Sequence, residues 1–222
     1  MFSSFDHILI DVPDIVAAKK EYSVLLGQPI TEDTVRLGNI DLRLREASET
    51  NKTSLSALAL QDKTLDATAT LSLDGGPRDI PLLRANARDC EYHENIASDT
   101  GIYAVDHLVL QTGDAQACIE LFQDQLGLRL ALDQQVPEWG GRMLFFRMGK
   151  MTLEVIQNLE KPLAADFFWG MTFLCKDIEQ TTARLDAAGI EHSPIRKGRK
   201  PGTRVSTVKS HCLGLPTLLI GH

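Results

Sequence analysis

Cysteine is scarce in this sequence and has no spacing typical of a metal site or a disulfide framework. The chain has four cysteines in 222 residues, far apart and without a CxxC pair. A zinc knuckle or a disulfide framework needs short, regular spacings, so neither is expected. Widely separated thiols are typical of a reduced, cytoplasmic protein. The four are Cys90, Cys118, Cys175 and Cys212.

Positive charge and long apolar runs are also lacking. A net charge of −7 argues against a nucleic-acid partner, which needs a basic face. The apolar runs are short and broken by charges, so no membrane span is expected. The opening residues MFSSFDH lack a basic region followed by an apolar stretch, so we expect no secretory signal. Neither a phosphate-binding glycine loop nor a nucleophilic triad is evident.

The chain instead contains a repeated pattern. DHILIDV begins at residue 6 and DHLVLQT at residue 106, and the aspartates and glycines that follow keep the same offset. Each copy predicts a strand, an aspartate that caps a helix, and a glycine that ends the helix. The landmarks that share the 100-residue offset are His7 and His107, Asp14 and Asp114, and Gly27 and Gly127.

Two further copies complete four units. One begins near Trp169, with Asp177 as cap and Gly189 as the helix end, and a fainter one begins near Ser54. We predict an α+β fold of tandem βαβββ units forming curved mixed sheets, four units in two domains, with the second unit truncated. The polar stretch ARDCEYHENIASDTG separates the domains, which we place at residues 1–95 and 96–222.

These motifs resemble the vicinal oxygen chelate superfamily, which includes glyoxalase I, extradiol dioxygenases and bleomycin- or fosfomycin-resistance proteins. The resemblance rests on DHILI and DHLVL followed by capped helices that end in LLG and LGL. It covers the second half of the chain well and the first half partly. It implies sheets that close into a cup with a ligand on the concave face, but not a particular reaction, since this fold supports many activities.

In metal-dependent members, the resemblance implies a His on the first strand and a Glu on the fourth strand of each paired unit. The third unit has both, His107 and Glu154. They are the candidate catalytic residues and the candidate ligands of one divalent metal, Zn, Ni, Fe or Mn, whose role would be to stabilise an enolate-like intermediate. A site without metal is the alternative, with the histidine as a structural residue and Glu154 paired or solvated.

The other units do not complete the ligand set. His107 lies seven residues before its helix cap, Asp114. Seven residues before the cap of the fourth unit stands Gly170, and Leu218 or Leu219 stands at the Glu position of that unit. The second unit has Ala57 at the His position, and the first keeps His7 but has Arg43 where the third has its Glu. The extradiol dioxygenase reading is disfavoured most, because it needs a complete iron triad.

Histidine 211 offers one way to add a third ligand. The segment KPGTRVSTVKSHCLG looks like a strand from Arg204 to Cys212. If Val208 faces the helix, Lys209 and His211 face the cup, because side chains alternate along a strand. The alternative, which we favour, places His211 in a turn before LGLP.

Cationic and aromatic residues suggest an anionic ligand. Arg204 and Lys209 lie on the predicted strand of the fourth unit, and Trp139 and Arg142 occupy the corresponding region of the third. An arginine beside an aromatic ring is a common way to hold a flat anionic molecule. These four, with His211, are the candidate substrate-binding residues. The alternative for Trp139 is that it covers a sheet edge.

Two functions follow from these features. The first is a glyoxalase-like lyase or isomerase that acts on a small oxygen-rich or carboxylated metabolite. The second is a non-catalytic protein that binds and sequesters a small molecule, as the resistance proteins do. We expect a cytoplasmic monomer or homodimer in which His107 lines the ligand cup and His7 is structural.

Overall fold

The computed structural model describes residues 2–47, 51–64, 71–72, 79–86, 101–161 and 163–222, and gives only the backbone of residues 71, 72 and 139. The chain folds into two compact units. Unit 1 contains residues 1–8, 55–89 and 107–169, and unit 2 contains residues 9–54, 90–106 and 170–222. The predicted domain boundary at residues 95 and 96 lies outside the described residues and stays a prediction.

The elements of the first, third and fourth repeats follow the predicted order of strands and helices, whereas Leu71–Ser72 in the second repeat form a strand where the repeat pattern predicts a helix. The helices are α1 (Ile15–Leu26), α2 (Ala115–Ile119, continued as a π-helix over Glu120–Gln125) and α3 (Ile178–Ala187), with a short 3-10 turn at Pro137–Trp139. The strands are β1 (Phe2–Val12), β2 (Thr34–Arg36), β3 (Asp41–Glu46), β4 (Ser54–Asp62), β5 (Leu71–Ser72), β6 (Leu82–Asn86), β7 (Ile102–Thr112), β8 (Arg129–Val136), β9 (Gly141–Met148), β10 (Met151–Asn158), β11 (Phe167–Cys175), β12 (Arg196–Lys197), β13 (Arg204–Val208) and β14 (Thr217–Gly221).

The predicted helix caps are confirmed. The carboxylate of Asp14 accepts a hydrogen bond from the backbone N–H of Ala17, and Asp114 and Asp177 do the same for α2 and α3. The glycines that end the three helices, at residues 27, 127 and 189, have φ of 67°, 74° and 71°. Only glycine adopts this left-handed region at little cost, so the same local signals begin and end each helix.

Unit 1 contains the third repeat from His107 onward. Strand β10 lies between β7, to which it is parallel, and β9, to which it is antiparallel, and β8 follows β9 at the edge. The ring of Phe146 in β9 packs 5.4 Å from that of Phe122 in the helix after α2. This contact identifies one face of the sheet as the helix-covered face. We call the opposite face of β7–β10–β9–β8 the open face.

Unit 2 contains the fourth repeat with the first helix. Strand β14 is parallel to β11 and antiparallel to β13, and β12 pairs with β13. A Cβ at Gly221 would lie 3.1 Å from the Cβ of Ile178, so Gly221 faces α3. The α+β class and the mixed sheets agree with the prediction. Residues 65–70 and 73–78, where the second repeat should continue after Thr64, lie outside the described residues.

The strand predicted from Arg204 to Cys212 is shorter than expected. Strand β13 ends at Val208, and His211 has φ of 57° in the turn that follows. Lys209 and His211 lie beyond the strand, so the alternation of side chains along a strand does not assign them a face. Within the part of the chain that the structure describes, helices are too short to cross a lipid bilayer.

Candidate active site

His107 and Glu154 lie side by side on the open face of unit 1. His107 pairs with Thr152 in the parallel register of β7 and β10, so Glu154 is one step further along the same face. The His107 Nε2 is 3.3 Å from the Glu154 Oε2. Their side chains are 18% and 12% exposed, so both are mostly removed from solvent but still accessible.

Apolar side chains flank Glu154 on the open face, whereas the row of His107 is polar. Val109 and Phe145 stand beside Glu154 in the neighbouring strands, and Ile156 and Met143 lie in the next row with Gln111. Val109 and Met143 are buried, and Phe145 is half-buried. A carboxylate and an imidazole in such surroundings interact more strongly than they would in water, because fewer solvent dipoles screen them.

Arg142 does not join this pair. It stands opposite Gln157 in the β9–β10 register, an odd number of residues from Glu154, so it lies on the helix-covered face. Its guanidinium donates two hydrogen bonds to Asp133, at 2.8 and 2.6 Å. The Asp133 partner raises the pKa of Arg142, and Arg142 lowers the pKa of Asp133. The contacts of Arg142 are therefore those of a structural ion pair.

The remaining candidate residues lie elsewhere. The side chain of Trp139 is outside the described residues, although its backbone belongs to the 3-10 turn. In unit 2, Arg204 stands opposite Gly221, on the face that α3 covers, and forms an ion pair with Glu179. His211 Nδ1 lies 3.1 Å from the hydroxyl of Ser210.

Lys209 lines an open hollow of about 330 Å³ in unit 2. The hollow is at the C-terminal end of α3, with Asp186, Gly189, Ile190, Glu191 and His192 as the other lining residues. It does not contain the His107–Glu154 pair. We place the candidate active site at the pair, because a carboxylate and an imidazole in contact offer acid–base chemistry that the open hollow does not.

The strand registers identify the counterparts of the pair. In the third repeat, Glu154 pairs with Val109, two residues after His107. In the fourth repeat, Leu218 pairs with Thr172, two residues after Gly170, so Leu218 occupies the Glu position. A Cβ at Gly170 would lie 2.5 Å from the carbonyl oxygen of Pro216, which leaves no room for a histidine. In the second repeat, Leu83 pairs with Ala59, two residues after Ala57, so Leu83 occupies the Glu position.

The donors present do not fit the four-ligand metal site that the resemblance implies. His107 Nε2 and Glu154 Oε2 are close enough to share one ion, but the counterpart positions carry no ligand atom. Among the described residues, no three His, Cys, Asp or Glu side chains come together in an arrangement that could hold a metal. The pair is therefore half of such a site.

His7 differs from His107 in its surroundings. It is 2% exposed, and its Nδ1 lies 2.6 Å from the carboxylate of Asp6, which is equally buried. The same carboxylate accepts a hydrogen bond from Gln61 at 3.3 Å, and Gln61 accepts one from Ser4. His7 thus belongs to a buried chain of hydrogen bonds in unit 1.

Sequence reasoning missed two arginines on the open face. Arg147 stands opposite Thr152, and Arg129 stands opposite Arg147, in the same row as His107. Alternation along FFRM would have placed Arg147 on the face of Phe145. Which face that is depends on the strand register, which the sequence alone does not fix.

Residues 104–212 match the model of the Glyoxalase/Bleomycin resistance protein/Dioxygenase superfamily. A mutant 4-hydroxymandelate synthase from Streptomyces coelicolor has a similar fold, with a TM-score of 0.72 and 14% identity over 100% of this chain and 93% of that one. Methylmalonyl-CoA epimerase from Mycobacterium tuberculosis has a TM-score of 0.48 and 16% identity over 57% of this chain and 93% of that one. No curated protein sequence matches the chain. Residues 104–212 are therefore a domain of the Glyoxalase/Bleomycin resistance protein/Dioxygenase superfamily.

Proposed function

We propose that this protein is an enzyme that moves a proton at a carbon beside a carbonyl group in a small oxygen-rich or carboxylated metabolite. The reaction class is that of an isomerase or a lyase. The observation that carries the proposal is the 3.3 Å contact between His107 and Glu154 on the open face, with both side chains mostly but not fully buried. A carboxylate and an imidazole in contact are a common general acid–base pair.

In this mechanism Glu154 is the base. Its carboxylate takes the proton from carbon, and the electron pair of the C–H bond moves into the carbonyl group to give an enolate. His107 holds the Glu154 carboxyl group in position through its Nε2 atom while Glu154 carries the proton. Return of the proton to carbon completes an isomerisation, and loss of a neighbouring leaving group completes an elimination. Neither outcome needs an oxidant or a reductant.

A metal is not used in these steps, because the donor set is only half complete. His107 and Glu154 are the residues that would hold a divalent ion, and Zn, Ni, Fe and Mn all suit an imidazole and a carboxylate. Metal analysis of untagged protein, followed by titration with each ion, tests this form of the site. A stoichiometric ion that is lost in Glu154→Gln would require the mechanism to be rewritten around it.

Hydrogen–deuterium exchange tests the proposal without knowledge of the physiological substrate. Each member of a panel of 2-oxo acids, 2-substituted carboxylic acids and their thioesters is incubated with the protein in D₂O and followed by proton NMR. We expect loss of one α-proton signal from at least one compound. Glu154→Gln should slow this exchange by about 100-fold or more, the usual contribution of a general base.

Glu120→Gln is the matched control, because Glu120 is an exposed glutamate in the helix that covers the other face of the same sheet. It removes the same charge and should leave exchange unchanged. Saturable binding of a panel compound without exchange, unaffected by Glu154→Gln, would instead support the non-catalytic binding protein. The lack of ligand atoms at Gly170 and Leu218 is the observation on which that alternative rests.

We also propose a reducing, cytoplasmic location and a monomer or homodimer. Cys118, Cys175 and Cys212 are buried free thiols. Burial raises the pKa of Cys175 to about 11, so its reactive thiolate is rare at neutral pH. Thiols held in this way support a structural role for the cysteines.

A further inference from the structure

Arg129 and Arg147 form a pair of like charges on adjacent strands. They stand directly opposite each other in the antiparallel register of β8 and β9, and both side chains are exposed. Neither guanidinium has an ion-pair or hydrogen-bond partner among the described residues. Like charges directly opposite each other destabilise a sheet. By contrast, Arg142 on the other face of β9 is neutralised by Asp133.

The arginine pair shares its face with the candidate active site. Across the sheet, His107, Thr152, Arg147 and Arg129 form one row, one residue in each strand. Neighbouring strands are about 4.8 Å apart, so the Cα of Arg147 is about 10 Å from that of His107. A small molecule can span this distance.

The adjacent row on the same face is apolar at its edge. Leu132 stands opposite Phe145, next to Glu154, and Leu132 is 48% exposed. A molecule with an anionic end and an apolar body would therefore meet matching groups, with its charge on the arginines and its body over Leu132 and Phe145. Arginine suits this role, since its planar guanidinium binds carboxylate and phosphate oxygens in a bidentate manner.

We propose that Arg129 and Arg147 together bind an oxyanion group of the substrate, a carboxylate or a phosphate, and so hold its reacting carbon at His107 and Glu154. The part that places the reacting carbon rests on the proposed function. The part that assigns an oxyanion site does not, because it depends only on the arginine pair. The arginine pair and the apolar row beside it indicate a substrate that is a small anionic molecule with an apolar portion.

Three probes of similar shape test the site: benzoate, phenyl phosphate and the neutral benzamide. Binding is followed by NMR through the arginine Nε–H signals of the full chain, with a chelator present to remove metal ions. We expect benzoate or phenyl phosphate to shift the Arg129 and Arg147 signals saturably, and benzamide to leave them unchanged. The stronger of the two anions identifies the oxyanion. Equal shifts with benzamide, or no saturable shift with either anion, would overturn the proposal.

Substitutions separate this site from general charge effects. Arg147→Gln and Arg129→Gln should each weaken binding of the preferred anion about tenfold or more, as expected for loss of a hydrogen bond to a charged group. Each should also raise the melting temperature slightly, since the like-charge repulsion is removed. Arg199→Gln, which removes an exposed arginine of unit 2, should change neither. An equal loss of binding in Arg199→Gln would show that only net charge matters.

Glu154→Gln distinguishes the two proposals. It should leave anion binding in place while it abolishes α-proton exchange. Anion binding with no exchange for any compound would sustain the arginine site and defeat the proposed reaction. Exchange that is unaffected by Arg147→Gln, with an unchanged Michaelis constant, would sustain the reaction and defeat the arginine site.

Discussion

The third and fourth repeats have the same scaffold and different chemistry. In each, the first strand pairs in parallel with the last, and an aspartate seven residues after the His position caps the helix. The third repeat places His107 and Glu154 at the two ligand positions, whereas the fourth has Gly170 and Leu218. The fold therefore depends on the caps, glycines and buried faces, and not on the residues of the site.

The fourth repeat could not regain the histidine by a single substitution. The backbone of Pro216 occupies the space where a side chain at residue 170 would begin. At the corresponding point of the third repeat, a half-buried Thr152 stands opposite His107. In the fourth repeat, the backbone of Pro216 therefore leaves no room for a side chain at residue 170.

Gly170→His should produce the largest effect on stability. Its Cβ would lie 2.5 Å from the Pro216 carbonyl oxygen, so the strands must separate or the backbone must shift. We expect the free energy of unfolding to fall by about 3 kcal/mol, at the upper end for overpacking. Urea denaturation measures this, with Gln134→His on an exposed strand as the control. A Gly170→His variant as stable as the control would show that the two repeats differ only in sequence.

The two histidines of the 100-residue repeat should separate stability from function. His7→Ala removes a buried ring and leaves the Asp6 carboxylate without its 2.6 Å partner, so we expect a loss of about 2 kcal/mol. Its binding of the anionic probe per folded molecule should be unchanged. His107→Ala should lose less than about 1 kcal/mol of stability and reduce α-proton exchange. The opposite pattern would place the working site around His7.

How much the sequence could predict depended on whether the signal was local. Asp114 and Gly127 act on their own helix, so the sequence predicted them correctly; the repeat offset singled out His107, and the family resemblance singled out Glu154. Arg142 could not be placed in the same way. Its position depends on the register between β9 and β10, which is set by packing of the whole sheet. The register also shifts between Leu130 and Leu132, so the opposition of Arg129 and Arg147 was not readable from the sequence.

Arg184 provides a further comparison between the third and fourth repeats. It lies seven residues after the cap of α3, where the third repeat has the buried Leu121. Its guanidinium donates to the carbonyl oxygens of Val24 at 2.9 Å and Leu25 at 2.6 Å. These carbonyls lie at the C-terminal end of α1, where backbone acceptors lack helix partners and a positive charge is favourable.

Arg184→Met should therefore lower the free energy of unfolding by about 1.5 kcal/mol, the lower range for hydrogen bonds to a charged group. Arg184→Lys should recover part of the loss, because one ammonium can replace one of the two contacts. Hydrogen exchange should show faster opening of the last turn of α1 in Arg184→Met and little change in α2. Equal destabilisation of both helices, or full stability of the methionine variant, would mean that this position is packed in the same way in both repeats.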